Sequence, residues 1–200
     1  MSSLRPFNVW PLLVVLALAA CGAPGTQPGP AAATVVLPPP VTDGAGRVVR
    51  ARADRNMDDS VGRAIASQLK STDATAYRGV SVLAWDGTVL LTGAVAKPGE
   101  RRHAEQLAQS MPEVRMVFDE LTLVEDPAAI AFVPDAAREQ RIYAGLLGED
   151  AITGAYTVRM VNGIAYLLGT TRSSEDSARA VAFVSAADGV KWVVDHAQVR

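Results

Sequence analysis

The feature that most constrains the fold is an internal repeat. The sequence VSVLAWDGTVLLTG at residues 80–93 aligns with YTVRMVNGIAYLLG at 156–169, and EVRMVFDELTLV at 113–124 aligns with GVKWVVDHAQVR at 189–200. Both pairs are 76 residues apart, and the helical pattern upstream of each keeps an offset of 77, so the copies differ by one residue in a loop. A repeat of this length predicts two domains that share one fold.

The first copy predicts the order helix, strand, strand, helix, strand. Apolar residues recur every four positions after Asp58, whose side chain suits a helix N-terminus. Asp86-Gly87 separates two stretches of alternating apolar residues, which is the strongest short signal of a β-hairpin. A second helix begins near Pro98, where the first turn tolerates proline, and a strand over 113–124 ends the copy.

The second copy predicts the same elements, with a helix from about Asp135 to Leu147 and a hairpin at Asn162-Gly163. This order predicts an α+β fold in which each copy forms a three-stranded mixed sheet with two helices on one face. We place the first domain at 57–125, an inter-domain linker at 126–134 and the second domain at 135–200.

The predicted sheets carry more apolar side chains than their helices need. If one face of each sheet packs on the helices, alternation puts a second apolar set on the opposite face: Leu83, Trp85 and Leu90 in the first copy, and Val161, Ile164, Tyr166 and Leu168 in the second. A solvated face of an antiparallel sheet should be polar. Either the two copies pack against each other, or this face contacts lipid or a partner protein.

The N-terminus has the pattern of a secretory signal. Arg5 precedes an apolar run over residues 11–19, and small residues lead to Cys21, the chain's only cysteine. The run is shorter than the roughly 20 residues that span a bilayer. The glycine and proline residues after Cys21 cannot bury a structural thiol, although a disulfide to another chain stays open.

The sequence Leu18-Ala19-Ala20-Cys21 resembles the bacterial lipobox. The resemblance implies that residues 1–20 are a lipoprotein signal peptide and that Cys21 carries diacylglycerol on its sulfur and an acyl chain, such as palmitate, on its amine. More than one acyl chain anchors a protein stably. Gly22, where an aspartate would favour the inner membrane, implies the outer membrane with the protein facing the periplasm.

Residues 21–56 are rich in glycine, proline and alanine, a composition typical of a flexible linker. Four arginines lie within nine residues near the C-terminal end of this linker: Arg47, Arg50, Arg52 and Arg55. They are either the solvated charges of a linker or contacts to anionic headgroups, to which each arginine near the surface adds about 1 kcal/mol.

The element order and the sequence Gly87-Thr88-Val89-Leu90-Leu91-Thr92-Gly93 resemble the BON domain, as does the closing strand that begins at Gly189-Val190. The first copy departs from this pattern with Glu113-Val114. Together with the lipobox, two such domains resemble the dual-BON outer-membrane lipoproteins of the DolP type. The resemblance implies phospholipid binding, linked to the second copy, and support of envelope integrity without a catalytic residue.

The residues themselves favour no enzyme. His103 lies on a charged helix face, and His196 follows Asp195 in a strand, where neighbours point to opposite faces. Two histidines and one distant cysteine offer neither a zinc ligand set nor a Cys–His pair. We therefore predict no metal and no cofactor. The formal net charge is −2, or −3 without Arg5, so nucleic acid is not a predicted partner.

Candidate lipid contacts cluster at the first helix of the second copy. Ile142 and Leu146 occupy core positions of this helix. Tyr143 and Leu147 form a second apolar pair with the same four-residue spacing, which one buried face does not need. This second pair either contacts lipid or packs on the first domain. Phe132, in the apolar inter-domain segment, either fills a groove or enters headgroups. The candidate set is Phe132, Arg138, Arg141, Tyr143 and Leu147.

Two function classes follow. The first is a lipid-anchored module that binds membrane phospholipids, which the family resemblance implies include anionic lipid, and supports envelope integrity. The second is a protein-interaction scaffold or chaperone-like envelope stress factor, which binds other envelope proteins and touches lipid only through its anchor.

Overall fold

The computed structural model describes residues 37–128 and 130–200, so the predicted signal peptide and Cys21 lie outside the described residues. Residues 37–200 form a compact unit that contains all three hydrophobic clusters. A chain that begins at residue 37 therefore keeps every contact described below. Among the described helices, none combines the length and the apolar character needed to cross a bilayer.

The first domain has the predicted element order. Its elements are α1 (Arg52–Thr72), β1 (Val80–Trp85), β2 (Thr88–Val95), α2 (Pro98–Gln109) and β3 (Met116–Leu123). The sheet order is β1-β2-β3, with β1 antiparallel and β3 parallel to the central strand. A short 3-10 turn, Ile130–Phe132, leads to the second domain.

The second domain repeats this arrangement. Its elements are α3 (Ala136–Gly148), β4 (Ala155–Val161), β5 (Ile164–Thr171), α4 (Ser174–Ser185) and β6 (Trp192–Val199), in the sheet order β4-β5-β6. The α+β prediction with two three-stranded mixed sheets is confirmed. Both hairpin turns have two consecutive residues with positive φ, Asp86-Gly87 and Asn162-Gly163, as the predicted two-residue turns require.

Each domain buries one face of its sheet under its two helices. Ile65 and Leu69 of α1 and Ile142 and Leu146 of α3 lie in the two helix–sheet cores, as their spacing predicts. Burial of such side chains is the main favourable contribution to folding.

The opposite sheet faces pack against each other. The interdomain cluster contains Trp85, Leu90, Val161, Tyr166 and Leu168, with Leu83, Phe118, Phe132, Ile164 and Val194 partly buried against it. Every residue assigned to this face from the alternation belongs to the cluster. The explanation in which the two copies pack together is thus confirmed, and this apolar surface is not available to a membrane.

The start of α1 differs from the prediction. The helix begins at Arg52 rather than after Asp58, which lies inside the helix and is buried. The Asp58 carboxylate accepts a hydrogen bond from the backbone N–H of Asp86, at 2.8 Å, and pairs with Arg50, at 2.7 Å. A residue that resembles a helix cap therefore makes a tertiary contact instead.

Residues 41–50, which we call the strap, are ordered against the domains rather than forming a free linker. An antiparallel bridge joins Thr42 and Val48, and the Asp43 carboxylate accepts hydrogen bonds from the N–H groups of Ala45 and Arg47, each at 2.9 Å. Such aspartate contacts close a tight loop. The composition of the linker is uniform enough to hide this ordered end.

Candidate functional site

The strap contacts the second domain at the C-terminus of α3. Arg47 donates hydrogen bonds to the carbonyl oxygens of Leu147, Glu149 and Ile152 at 3.2–3.4 Å. These groups lie at the end of the helix, where the last carbonyls lack helical partners and attract a cation. Val48 is buried, and its N–H donates to the carbonyl of Thr153 at 2.6 Å.

The strap also reaches the first domain through Arg50. Its side chain is only 10% exposed, and its guanidinium pairs with Asp58 at 2.7 Å and with Asp86 at 3.5 Å. The same guanidinium lies 4.6 Å from the ring centre of Trp85, in a cation–π contact. Arg50 therefore fixes the strap to the first hairpin more firmly than Arg47 fixes it to α3.

The two acids of this contact have opposite pKa shifts. Burial raises the pKa of Asp58, and its pairing with Arg50 offsets only part of that rise. Burial also acts to raise the pKa of Asp86, but Arg200, Arg50 and Arg115 outweigh it, and its pKa is held below the usual value. Arg200 binds the Asp86 carboxylate at 2.5 Å. Arg50 of the strap and Arg200, at the end of the last strand, therefore meet at one hairpin turn.

A cleft of about 370 Å³ lies between the strap and α3. We call it the strap cleft. It is lined by Asp43, Arg47, Val48, Val49, Arg50, Arg55, Trp85, Tyr143, Leu146, Leu147, Gly154, Ala155 and Tyr156. Two sets of residues that the sequence proposed separately, the linker arginines and the Tyr143–Leu147 pair, thus share one cleft.

Tyr143 and Leu147 are 38% and 59% exposed, so neither side chain is buried against the first domain. With Ala137, Gln140 and Ala144 they form what we call the open face of α3, on which all five residues are exposed. None of these five side chains is charged.

The remaining predicted contacts separate. Arg52 is exposed on the first turn of α1, and Arg55 is exposed and donates to the carbonyl of Arg50 at 2.6 Å. Arg141 is exposed beside the open face, on the rim of a groove between α3 and α4. Arg138 is held by Asp135 and by the carbonyl of Asp188. Phe132 is partly buried and packs against the interdomain cluster, as a groove-filling side chain would.

A buried carboxylate supports the loop that receives the strap. Asp176 of α4 accepts hydrogen bonds from the N–H of Thr153 at 2.8 Å, from Thr171 at 2.7 Å and from the phenol of Tyr156 at 3.0 Å. Burial acts to raise its pKa, but these donors outweigh burial and lower the pKa. Sequence reasoning missed this residue, because an aspartate three positions after Ser173 in the first turn of a helix resembles an ordinary cap.

His196 also has a role that the sequence did not show. Its Nε2 lies 3.0 Å from a carboxylate oxygen of Glu120, and its ring stacks on Phe118 with 3.9 Å between the ring centres. Gln198 donates to Thr88 across the same interface at 2.8 Å. The histidine therefore joins the two domains.

Within residues 37–128 and 130–200, no group of three histidine, cysteine or acidic side chains is placed to hold a metal ion. The polar groups that do converge, at Asp86 and Asp176, are occupied by hydrogen bonds and ion pairs within the fold. The fold thus defines a tandem pair of small α+β domains. The BON domain family matches residues 58–125 and 134–200, and the chain belongs to that family.

Two relatives share part of the sequence. An uncharacterized protein in the gshII 5′ region of Anaplasma centrale is 28% identical over 126 residues, which cover 62% of this chain and 83% of that protein. Osmotically-inducible protein Y of Escherichia coli (strain K12) is 30% identical over 128 residues, 62% of this chain and 61% of that protein. The chain therefore spans less than two thirds of the second relative.

Similarity to solved structures is weaker. A structure of CdsD, a structural protein of the type III secretion system of Chlamydia trachomatis, aligns with 72% of this chain and 63% of that chain, at 14% identity and a TM-score of 0.27. A TM-score this low carries no argument about function.

Proposed function

We propose that this protein is a lipid-anchored outer-membrane protein that faces the periplasm, binds anionic phospholipid through its second BON domain and supports envelope integrity. The observation that carries the proposal is the open face of α3, which exposes Tyr143 and Leu147 beside the arginines of the strap cleft.

The chemistry of this face suits a bilayer surface. A tyrosine places its apolar ring and its hydroxyl where a membrane is apolar on one side and wet on the other. The open face is uncharged, while the exposed Arg55 and Arg141 flank it and can approach anionic headgroups. Residues 135–200 carry seven basic and eight acidic side chains, so apolar insertion has to accompany this local attraction.

The setting of the proposal rests on two further points. The lipobox resemblance at Cys21 supports an anchor in the outer membrane. The E. coli relative is named for osmotic induction, which supports a role when the envelope is stressed.

Replacing Tyr143 and Leu147 together by serine should weaken binding of residues 37–200 to phosphatidylglycerol vesicles about 10- to 100-fold, because two apolar side chains no longer insert. Thermal stability should change little, since both side chains are exposed. Co-sedimentation with phosphatidylglycerol and with phosphatidylcholine vesicles measures the effect and its headgroup dependence.

The matched control replaces Met116 and Leu123, which are 45% and 44% exposed on the first domain, by serine. Equal binding by the two double variants, or lost stability in the α3 variant, would remove the case for a lipid face.

The anchor has its own test. Cys21→Ala should abolish incorporation of labelled palmitate and release the protein from outer-membrane fractions, because the sulfur that accepts diacylglycerol is gone. Continued labelling of the alanine variant would contradict the lipobox assignment.

A second candidate function is a protein-interaction scaffold. It is favoured by Trp192, which is 68% exposed beside Lys191 on the second domain. An exposed tryptophan is typical of a protein interface. If wild-type residues 37–200 bind neither phosphatidylglycerol nor phosphatidylcholine vesicles, the scaffold becomes the preferred function.

A further inference from the structure

The strap covers the C-terminal end of α3 with few contacts. Arg47 makes hydrogen bonds of 3.2–3.4 Å, at the long end of the normal range, and its ion pair with the fully exposed Asp150 is 3.4 Å long. One short backbone hydrogen bond and the buried Val48 side chain complete the attachment, while Val41 and Val49 stay exposed. Segments with so little burial open locally more easily than the cores do.

The C-terminal end of the strap, at Arg50, is fixed much more strongly. Arg50 combines two ion pairs, a cation–π contact and nearly complete burial. The residue after it, Ala51, is followed at once by α1, which packs in the first core. If the strap leaves α3, Arg50 is therefore the point about which it turns.

Opening would uncover the C-terminal end of α3 beside the proposed lipid-contact surface. Leu146 and Tyr156 belong to the second helix–sheet core, and their edges form the floor of the strap cleft, where they are 4% and 5% exposed. They lie next to Tyr143 and Leu147 in the same cleft. Lifting the strap removes Arg47 and Val48 from this cleft, so the end of α3 beside the open face becomes accessible.

We propose that the strap is a hinged cover, which pivots at Arg50 and restricts the access of an anionic phospholipid surface to the C-terminal end of α3. This inference rests on the proposed function, because it assigns a regulator to the same lipid-contact surface.

Whether one substitution tightens or weakens vesicle binding tests the cover. Arg47→Ala in residues 37–200 removes the side chain that holds the strap on α3, so binding to phosphatidylglycerol vesicles should tighten about 3- to 10-fold if the covered state predominates. A headgroup-contact role for Arg47 predicts the opposite, since losing a cation weakens binding to an anionic surface. The matched control is Arg52→Ala, which removes the same charge from an exposed position outside the strap.

A second pair of variants tests the cover by loosening the strap at a different residue. Asp43→Ala breaks the loop of the strap, and Asp54→Ala removes the same charge from the exposed first turn of α1. The cover predicts tighter vesicle binding for Asp43→Ala than for Asp54→Ala. Hydrogen exchange at the Val48 amide should accelerate in both strap variants, while amides of β2 and β5 keep their protection.

The outcomes separate the two proposals. Tighter binding by the strap variants than by their controls, with the cores still protected, supports the cover. Binding by all variants without this difference, or exchange at Val48 that occurs only with global unfolding, overturns the cover and leaves the proposed function standing. Failure of the wild type and all variants to bind vesicles overturns the proposed function, and the cover with it.

Discussion

Replacing Gly93 by alanine should lower the free energy of unfolding of residues 37–200 by roughly 3–5 kcal/mol, because backbone strain and overpacking add at this position. Gly93 lies within β2, and its φ is +98°, a conformation that residues with a Cβ rarely adopt. A Cβ there would also overlap the backbone carbonyl of Gly79. Gly79 directly precedes β1, the neighbouring strand, so its backbone cannot move aside as a flexible side chain could. Urea unfolding followed by tryptophan fluorescence measures the loss.

The matched control is Gly99→Ala in the first turn of α2. A Cβ at Gly99 meets open space, and both substitutions restrict the unfolded chain equally. We expect the control to be neutral or slightly stabilising. Equal unfolding midpoints for the two variants would contradict the strain assigned to Gly93.

Asp176→Asn should cost about 2–4 kcal/mol of stability, because three buried donors lose a charged acceptor. The residue is 1% exposed. An asparagine amide has the same shape, but its NH₂ group would face donors from which the carboxylate oxygens accept hydrogen bonds. The loop that carries Thr153 should loosen, and with it the site where Val48 of the strap binds. Glu175→Gln, in the same helical turn but exposed, is the control and should be nearly neutral.

The pH dependence of this effect has a definite sign. Because the folded state lowers the pKa of Asp176 below its ordinary value of 3.8, its contribution to stability is complete above that value. The contribution is lost as the pH falls through the lower pKa of the folded state. The stability difference between the wild type and Asp176→Asn should be constant near neutral pH and shrink in acid. A difference that grows in acid would show that the hydrogen-bond donors do not control this carboxylate.

Local sequence patterns predicted the repeated parts of the fold. Alternation around Asp86-Gly87 assigned Leu83 and Trp85 to the face opposite the helices, and both lie in the interdomain cluster. The spacing of Ile142 and Leu146 assigned them to the core in the same way. Such patterns succeed because burial on one face is repeated along an element and needs no knowledge of the partner.

Contacts between distant segments were beyond these patterns. The sequence does not distinguish Arg50 from the other three arginines of the linker, because its partners Asp58 and Asp86 come together only in the tertiary structure. For the same reason, the exposed Tyr143 could be named from the helix alone, but the strap beside it could not.

The contact between Glu120 and His196 bears on the history of the chain. These residues occupy the same position in the two copies, 76 residues apart, and they meet each other across the interface. Two identical chains related by a two-fold axis would place like against like at such a point, either two acids or two imidazoles. Fusing the copies into one gene frees each side to change by itself. A complementary acid–base couple, which a symmetric pair of subunits cannot encode at its axis, is then accessible by a single substitution.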